Sequence, residues 1–120
     1  MTQIVSKPWG HEEIWAHTSK YVGKKLVLST GARLSLQYHK EKDETFLVVE
    51  GSMELQLADT VGSFHDVRTM NVGDSFHCPP MMAHRMCAGP EGCVVMEVST
   101  PELDDIVRLA DDYGRQEDKQ

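Results

Sequence analysis

At 120 residues and 13.5 kDa the chain is long enough for one domain with its own core and short for two, so residues 1–120 are read as a single domain. A net charge of −7 and a pI near 5.2 argue against the concentrated basic face with which proteins bind nucleic acid. No apolar run approaches the ~20 residues that cross a bilayer, and MTQIVSKPWG at the start lacks the apolar stretch of a secretory signal, so the expectation is a cytoplasmic protein with neither nucleic acid nor membrane as partner.

In chain order, short apolar or alternating segments bounded by Gly, Pro, Asn, Asp and Ser predict strands over Lys25–Ser29, Leu34–Tyr38, Thr45–Glu50, Met53–Ala58, Ser75–Cys78 and Val94–Ser99. In Met53-Glu54-Leu55-Gln56-Leu57 the period of two is strict, which turns Met53, Leu55 and Leu57 to the core. Glu50-Gly51-Ser52 reads as a tight hairpin turn, Asp59–His65 as a long connection and Asn71-Val72-Gly73-Asp74 as a second turn. At the C-terminus Thr100 suits a cap, Pro101 the first helical position, and Leu103, Ile106, Val107 and Ala110 recur at helical spacing, so a short helix is expected there, with Arg115–Gln120 frayed. Cys78, Cys87 and Cys93 match no zinc-knuckle spacing and read as free thiols.

The chemistry concentrates in four side chains. Residues two apart on a strand point the same way, so Gln37 and His39 share a face with Ser35. Glu44 follows the charged turn Lys40-Glu41-Lys42-Asp43 and opens the next strand, while His84 follows the Pro79-Pro80 turn. An amide oxygen, two imidazoles and a carboxylate form a mixed N/O set that suits one divalent transition metal, Zn²⁺ first and Mn²⁺, Co²⁺, Ni²⁺ or Fe²⁺ as alternatives, with positions left for water or substrate.

These residues resemble the two sequence motifs of the cupin superfamily, G-x5-H-x-H-x4-E-x6-G and G-x5-P-x-G-x2-H-x3-N. Gly31, His39, Glu44 and Gly51 match the first at full spacing, with Gln37 in place of its first His; Gly73, Pro79 and His84 match the second, with Met81 in place of its Gly and Ala88 of its Asn. Within the superfamily the chain resembles the mannose-6-phosphate isomerase-like cupins, including the C-terminal domain of bifunctional mannose-6-phosphate isomerase/mannose-1-phosphate guanylyltransferase enzymes. The matching pieces are Lys7-Pro8-Trp9-Gly10, Gly31 to Gln37, His84-Arg85, Asp104 to Leu109 and Asp112-Tyr113-Gly114-Arg115. The resemblance implies an all-β, RmlC-like jelly-roll barrel, a metal on Gln37, His39, Glu44 and His84, and a homodimer in which the segment through Trp15 is a candidate exchanged or packed arm. Where those enzymes carry a His-rich turn and an Arg before the Glu, this chain has Lys40, Glu41 and Lys42.

The activity implied is aldose–ketose interconversion of mannose-6-phosphate or a related sugar phosphate, which needs a base, an electrophile and a cationic phosphate pocket. Lys42, Glu41, Arg85 and His77 are the candidate catalytic residues, with Glu41 and His77 the candidate bases. Arg33, Lys42 and Arg85 are the candidate substrate contacts, with Lys24, Lys25 and Glu97 behind them; Trp9, Tyr21 and Tyr38 are available to stack on a sugar. An Fe²⁺-dependent oxygenase and a non-catalytic sugar-binding module stay open beside the isomerase.

Overall fold

A computed structural model describes residues 2–115, and every regular element in it is a strand. They are β1 (Gln3–Lys7), β2 (Gly10–His17), β3 (Val22–Leu28), β4 (Leu36–Tyr38), β5 (Glu44–Ala58), β6 (Phe64–Asn71), β7 (Ser75–Cys78), β8 (Ala83–Ser99) and β9 (Val107–Ala110). All pair antiparallel in one sheet that runs β1-β2-β3-β8-β4-β9, with β5 joining β6, β7 and β8. The two longest strands, β5 and β8, pair along most of their length and curl the sheet into a cup.

One place where the sequence signals a break is a bend instead. Glu50-Gly51-Ser52 is not a hairpin: β5 continues through it, and the pairing with β8 slips between Val48 and Glu50 and again between Gly51 and Met53. Gly51 has φ 70°, and a Cβ there would lie 2.2 Å from the Gly92 carbonyl oxygen, so glycine is required where the two bent strands touch. Met53, Leu55 and Leu57 do alternate into the core, beside Trp9, Leu26, Leu28, Phe46, Val48 and Val95. The connection after β5 is tighter than expected: Asp59 Oδ1 accepts the Val61 and Ser63 N–H groups, and β6 begins at Phe64.

The expected C-terminal helix is absent. Residues 101–106 form turns, and Val107–Ala110 is strand β9 on the free edge of β4, with Gln37 opposite Arg108 and Tyr38 opposite Val107. Leu109 and Ala110 pack on a second apolar cluster with Leu36, Ala58 and Ala83. An unpaired strand edge and an apolar cluster override the local helical spacing, which alternation of 107 and 109 serves as well. The N-terminal segment through Trp15 folds as a β1–β2 hairpin onto β3 of its own chain. Arg115, expected to be frayed, is held by Asp111; residues 116–120 lie outside the described residues.

Candidate metal centre

The cup holds a cavity of ≈ 160 Å3 whose floor is apolar, with Trp9, Leu26, Leu34, Phe46 and Met86, and whose wall carries the polar residues. Gln37 stands directly opposite His84 across the β4–β8 pair, so the two face the same side. His39 follows the end of β4 and Glu44 opens β5, so the turn between them determines how they meet. Asp105 fixes that turn: its carboxylate accepts the backbone N–H groups of Lys40, Glu41 and Lys42 at 3.0, 2.7 and 2.9 Å. These three bonds outweigh the effect of partial burial and hold the Asp105 carboxyl below its ordinary value.

Both imidazoles are oriented from behind. His39 Nδ1 donates to the Asp105 carbonyl, and His84 Nδ1 to the Met82 carbonyl at 3.1 Å with Cys78 Sγ at 3.2 Å. A carbonyl only accepts, so the Nδ1 proton is placed and Nε2 is left to face Glu44. Glu44 Oε2 lies 2.9 Å from His39 Nε2 and 3.1 Å from His84 Nε2, and the three ligand atoms fall within 4.8 Å of one another. All three residues are buried, at 5%, 3% and 4% exposure for His39, Glu44 and His84.

That carboxylate oxygen decides whether the site fits a metal. Oε2 is buried and, despite two close ring nitrogens, meets no protein donor in hydrogen-bond geometry. An unsatisfied buried carboxylate oxygen costs several kcal/mol on the order of its desolvation. Two ligands about 2.1 Å from one ion and at right angles lie about 3 Å apart, so the spacing fits neighbouring ligands of a shared cation. With Gln37 Nε2 donating to Ser35 Oγ at 2.9 Å, the amide leaves its oxygen to offer as a further hard ligand. The ligand set fits a divalent transition metal.

Charge around the triad is dense. Burial favours the neutral carboxylic acid at Glu44, but His39, His84 and Lys42 reverse that and hold it well below its ordinary value. Burial likewise opposes charge on His84, yet contact with Cys78 and Glu44 holds it well above the usual histidine value. Lys42, 5% exposed, reaches Glu44 Oε1 at 3.3 Å and Glu97 Oε2 at 3.1 Å; burial opposes its charge, and the two carboxylates raise it. Burial and the Glu44 charge push Glu97 up, against the pull of Lys42 and Lys24.

Of the residues singled out in the sequence, Gln37, His39, Lys42, Glu44 and His84 come together in the cup, with Lys24 and Glu97 beside them. Arg33 and Arg85 do not. Arg33 makes a fork on Asp112 at 2.9 and 2.7 Å, and Arg85 Nε donates to the Leu34 carbonyl at 2.8 Å with Asp112 at 3.5 Å. Glu41 is exposed in the turn, and His77 faces outward onto Asp43 at 2.6 Å. Lys25 lies on the outer face opposite Glu13, Tyr21 is exposed, Tyr38 packs on the second apolar cluster, and Trp9 is part of the cup floor. Cys78, Cys87 and Cys93 are free thiols, as read. Lys7, Glu12, Arg108 and Arg115 line the cavity and Asp105 holds its turn with no local signal of such roles in the sequence, although all but Glu12 stand in the segments that resemble the family.

The family model described as mannose-6-phosphate isomerase C-terminal matches residues 1–111. The chain belongs to that family. Among its relatives, the Xanthan biosynthesis protein XanB of Xanthomonas campestris (strain B100) is 30% identical over 92% of this chain and 23% of its own length. The mannose-1-phosphate guanylyltransferase of Escherichia coli K12 is 27% identical over the same shares. The chain thus spans about a quarter of the length of these relatives, 23% in both cases. An RmlC-like cupin from Shewanella frigidimarina superposes with TM-score 0.71 at 20% identity, covering 86% of each chain. KdgF from Halomonas does so with TM-score 0.73 at 24% identity, covering 87% of this chain and 90% of its own. The fold of this family member is therefore a cupin, without the short C-terminal helix among the described residues.

Proposed function

We propose that this cupin domain interconverts an aldose phosphate and its ketose isomer, mannose-6-phosphate and fructose-6-phosphate or a closely related pair, using one divalent transition metal held by His39, Glu44, His84 and Gln37. The observation that carries the reading is Glu44 Oε2, buried without a donor between two imidazoles in a cup lined with cations. Family membership and a relative named mannose-1-phosphate guanylyltransferase support the sugar-phosphate class.

When bound, the metal supplies Lewis-acid polarisation of the substrate's carbonyl oxygen. The chain's own residues do the rest. The reaction moves one proton from C2 of the aldose to C1 and shifts a hydroxyl proton between the two oxygens, with no net oxidation. Glu97 is the buried carboxylate in the cup suited to carry the carbon-bound proton, because burial and the nearby Glu44 charge raise its pKa and so make it the stronger base. It takes the place first given to Glu41 and His77, which lie outside the cup. Lys42, kept charged by Glu44 and Glu97, stabilises negative charge developing on a substrate oxygen. The apolar floor around Trp9, Phe46 and Met86 keeps water from competing for the proton.

The test is proton NMR of mannose-6-phosphate with protein stripped of metal and reloaded with Zn²⁺, Mn²⁺ or Co²⁺. Turnover to fructose-6-phosphate that disappears in His84→Ala and in Glu97→Gln is expected. Absence of turnover in every metal form would overturn the isomerase reading.

A further inference from the structure

Cys78 is an enclosed thiol with a polar neighbour. It ends β7 directly opposite Glu44 on β5, and residues opposite one another in an antiparallel pair point to the same face, so its side chain enters the site beside that carboxylate. The residue is 1% exposed, and its Sγ lies 3.2 Å from His84 Nδ1. We propose that Cys78 is a positioning residue of the metal centre: its sulfur, with the Met82 carbonyl, holds the His84 ring by the Nδ1 proton and keeps Nε2 aimed at the ion that His39 and Glu44 would share. The inference rests on the metal binding proposed above and is independent of the isomerase reaction.

A separation of 3.2 Å is shorter than the ~3.5–4.0 Å at which apolar atoms settle, so the contact is polar. The Met82 carbonyl at 3.1 Å from Nδ1 can only accept, which places a proton on Nδ1 and leaves the sulfur as a second acceptor of it. Among the described residues the S–H group itself finds only distant acceptors, the Met82 carbonyl at 3.8 Å and the Pro79 carbonyl at 3.9 Å. What the thiol adds is therefore its lone pair rather than its proton.

The ring needs this hold because its other neighbours do not tell its two sides apart. Phe46 and His39 flank it with ring centroids 5.6 and 5.4 Å away, which limits where it sits. Turned over about its own axis, it would occupy the same space with Cε1 in place of Nε2. Glu44 Oε2, 3.1 Å from that nitrogen and already without a protein donor, would then face carbon, and the metal would lose a ligand. Sulfur does not compete for the ion, since the ligand atoms that fall within 4.8 Å of one another belong to His39, Glu44 and His84. Valine at 78 would suit the strand but offer no acceptor, whereas serine would keep one.

The experiment compares wild-type protein with Cys78→Val and Cys78→Ser, reading the visible spectrum of the Co²⁺ forms and Zn²⁺ affinity by competition with a chelating indicator. Cys78→Val is expected to bind Zn²⁺ about tenfold more weakly, the low end of the effect of removing a ligand's hydrogen-bond partner because Met82 remains, and to shift the Co²⁺ bands. Cys78→Ser is expected to return the bands and most of the affinity. A valine variant matching wild type in both readings, or a serine variant as impaired as the valine one, overturns the positioning role. Should Cys78→Val fail to fold, proton NMR of Zn²⁺-loaded wild type decides: a slowly exchanging His84 Nδ1 proton close to the Cys78 β-protons is expected, and its absence overturns the proposal. Wild-type protein that takes up no metal overturns the metal centre and this role together. Shifted Co²⁺ bands in a protein that does not turn over mannose-6-phosphate sink the isomerase and keep the role of Cys78.

Discussion

Asp105 holds His39 and the turn after it with different atoms of one residue: its carbonyl accepts from His39 Nδ1, and its carboxylate accepts from the next three backbone N–H groups. The β4–β5 turn that carries one metal ligand toward another is thereby tied to the chain 66 residues further on. Residues 101–106 serve this purpose only by remaining turns, since a helix there would direct the Asp105 carbonyl along its own axis.

Asp105→Ala should loosen the turn and the His39 ring together. The Lys40 and Glu41 N–H groups are exposed and can find water, whereas Lys42 is buried and its N–H would lose its partner, so the stability cost should be about 1–2 kcal/mol, as for a lost helix cap. Metal affinity should fall about 10- to 100-fold, the usual cost of removing a group that orients a ligand. Metal titration of the variant against wild type checks this, and an unchanged affinity would mean that the turn holds itself.

Met81 occupies the position at which the cupin motif has Gly, and it has φ 70°. Its N–H donates to the His39 carbonyl at 2.7 Å, so the left-handed conformation is locked in by the site. A left-handed non-glycine residue costs about 1–2 kcal/mol, and glycine returns part of this through the entropy of the unfolded chain. Met81 is 52% exposed and contributes little to the core. Met81→Gly should therefore stabilise the protein by about 0.5–1 kcal/mol, read from denaturant midpoints at constant slope.

How far the sequence could be read depended on the range of the interaction. The alternation of Met53, Leu55 and Leu57 is local and was legible, and so were His39, Glu44 and His84, because their spacing was matched as a set. Gly51 was legible as an irregularity, but whether a strand bends or reverses there depends on Gly92, 41 positions away. Arg33 and Arg85 were legible as cations, but Asp112 in the tail takes them up, and nothing near either residue reveals that. The same tail sends Arg115 to the cavity, where its charge was not anticipated.

Lys42 stands between two buried carboxylates, and its removal should expose what it offsets. Lys42→Met leaves Glu44 and Glu97 buried with one cation fewer, for an expected loss of about 3–5 kcal/mol in the metal-free protein. Adding Glu97→Gln should recover a large part of this, because one carboxylate then no longer needs charge compensation. A double-mutant cycle by urea denaturation measures the coupling; strictly additive losses would show that Lys42 acts through packing alone.

In the metal-free protein His84 and Glu44 form a proton-linked pair whose two directions set the pH window. His84 is raised, so its contribution is complete below the unfolded value of about 6.5 and is lost as pH climbs through the folded value. Glu44 is lowered, so its contribution is present above its unfolded value of about 4.3 and is lost as pH falls through the folded one. Metal-free protein should therefore be most stable between these limits and weaken on the alkaline side. A bound metal needs His84 without its Nε2 proton, so loading at about pH 7 should release a proton and affinity should rise with pH until His84 is neutral. Calorimetry in two buffers of different ionisation enthalpy measures the release, and melting curves with and without chelator should separate increasingly from about pH 6 to about pH 9. Equal melting points across that range would mean that the buried triad binds no metal.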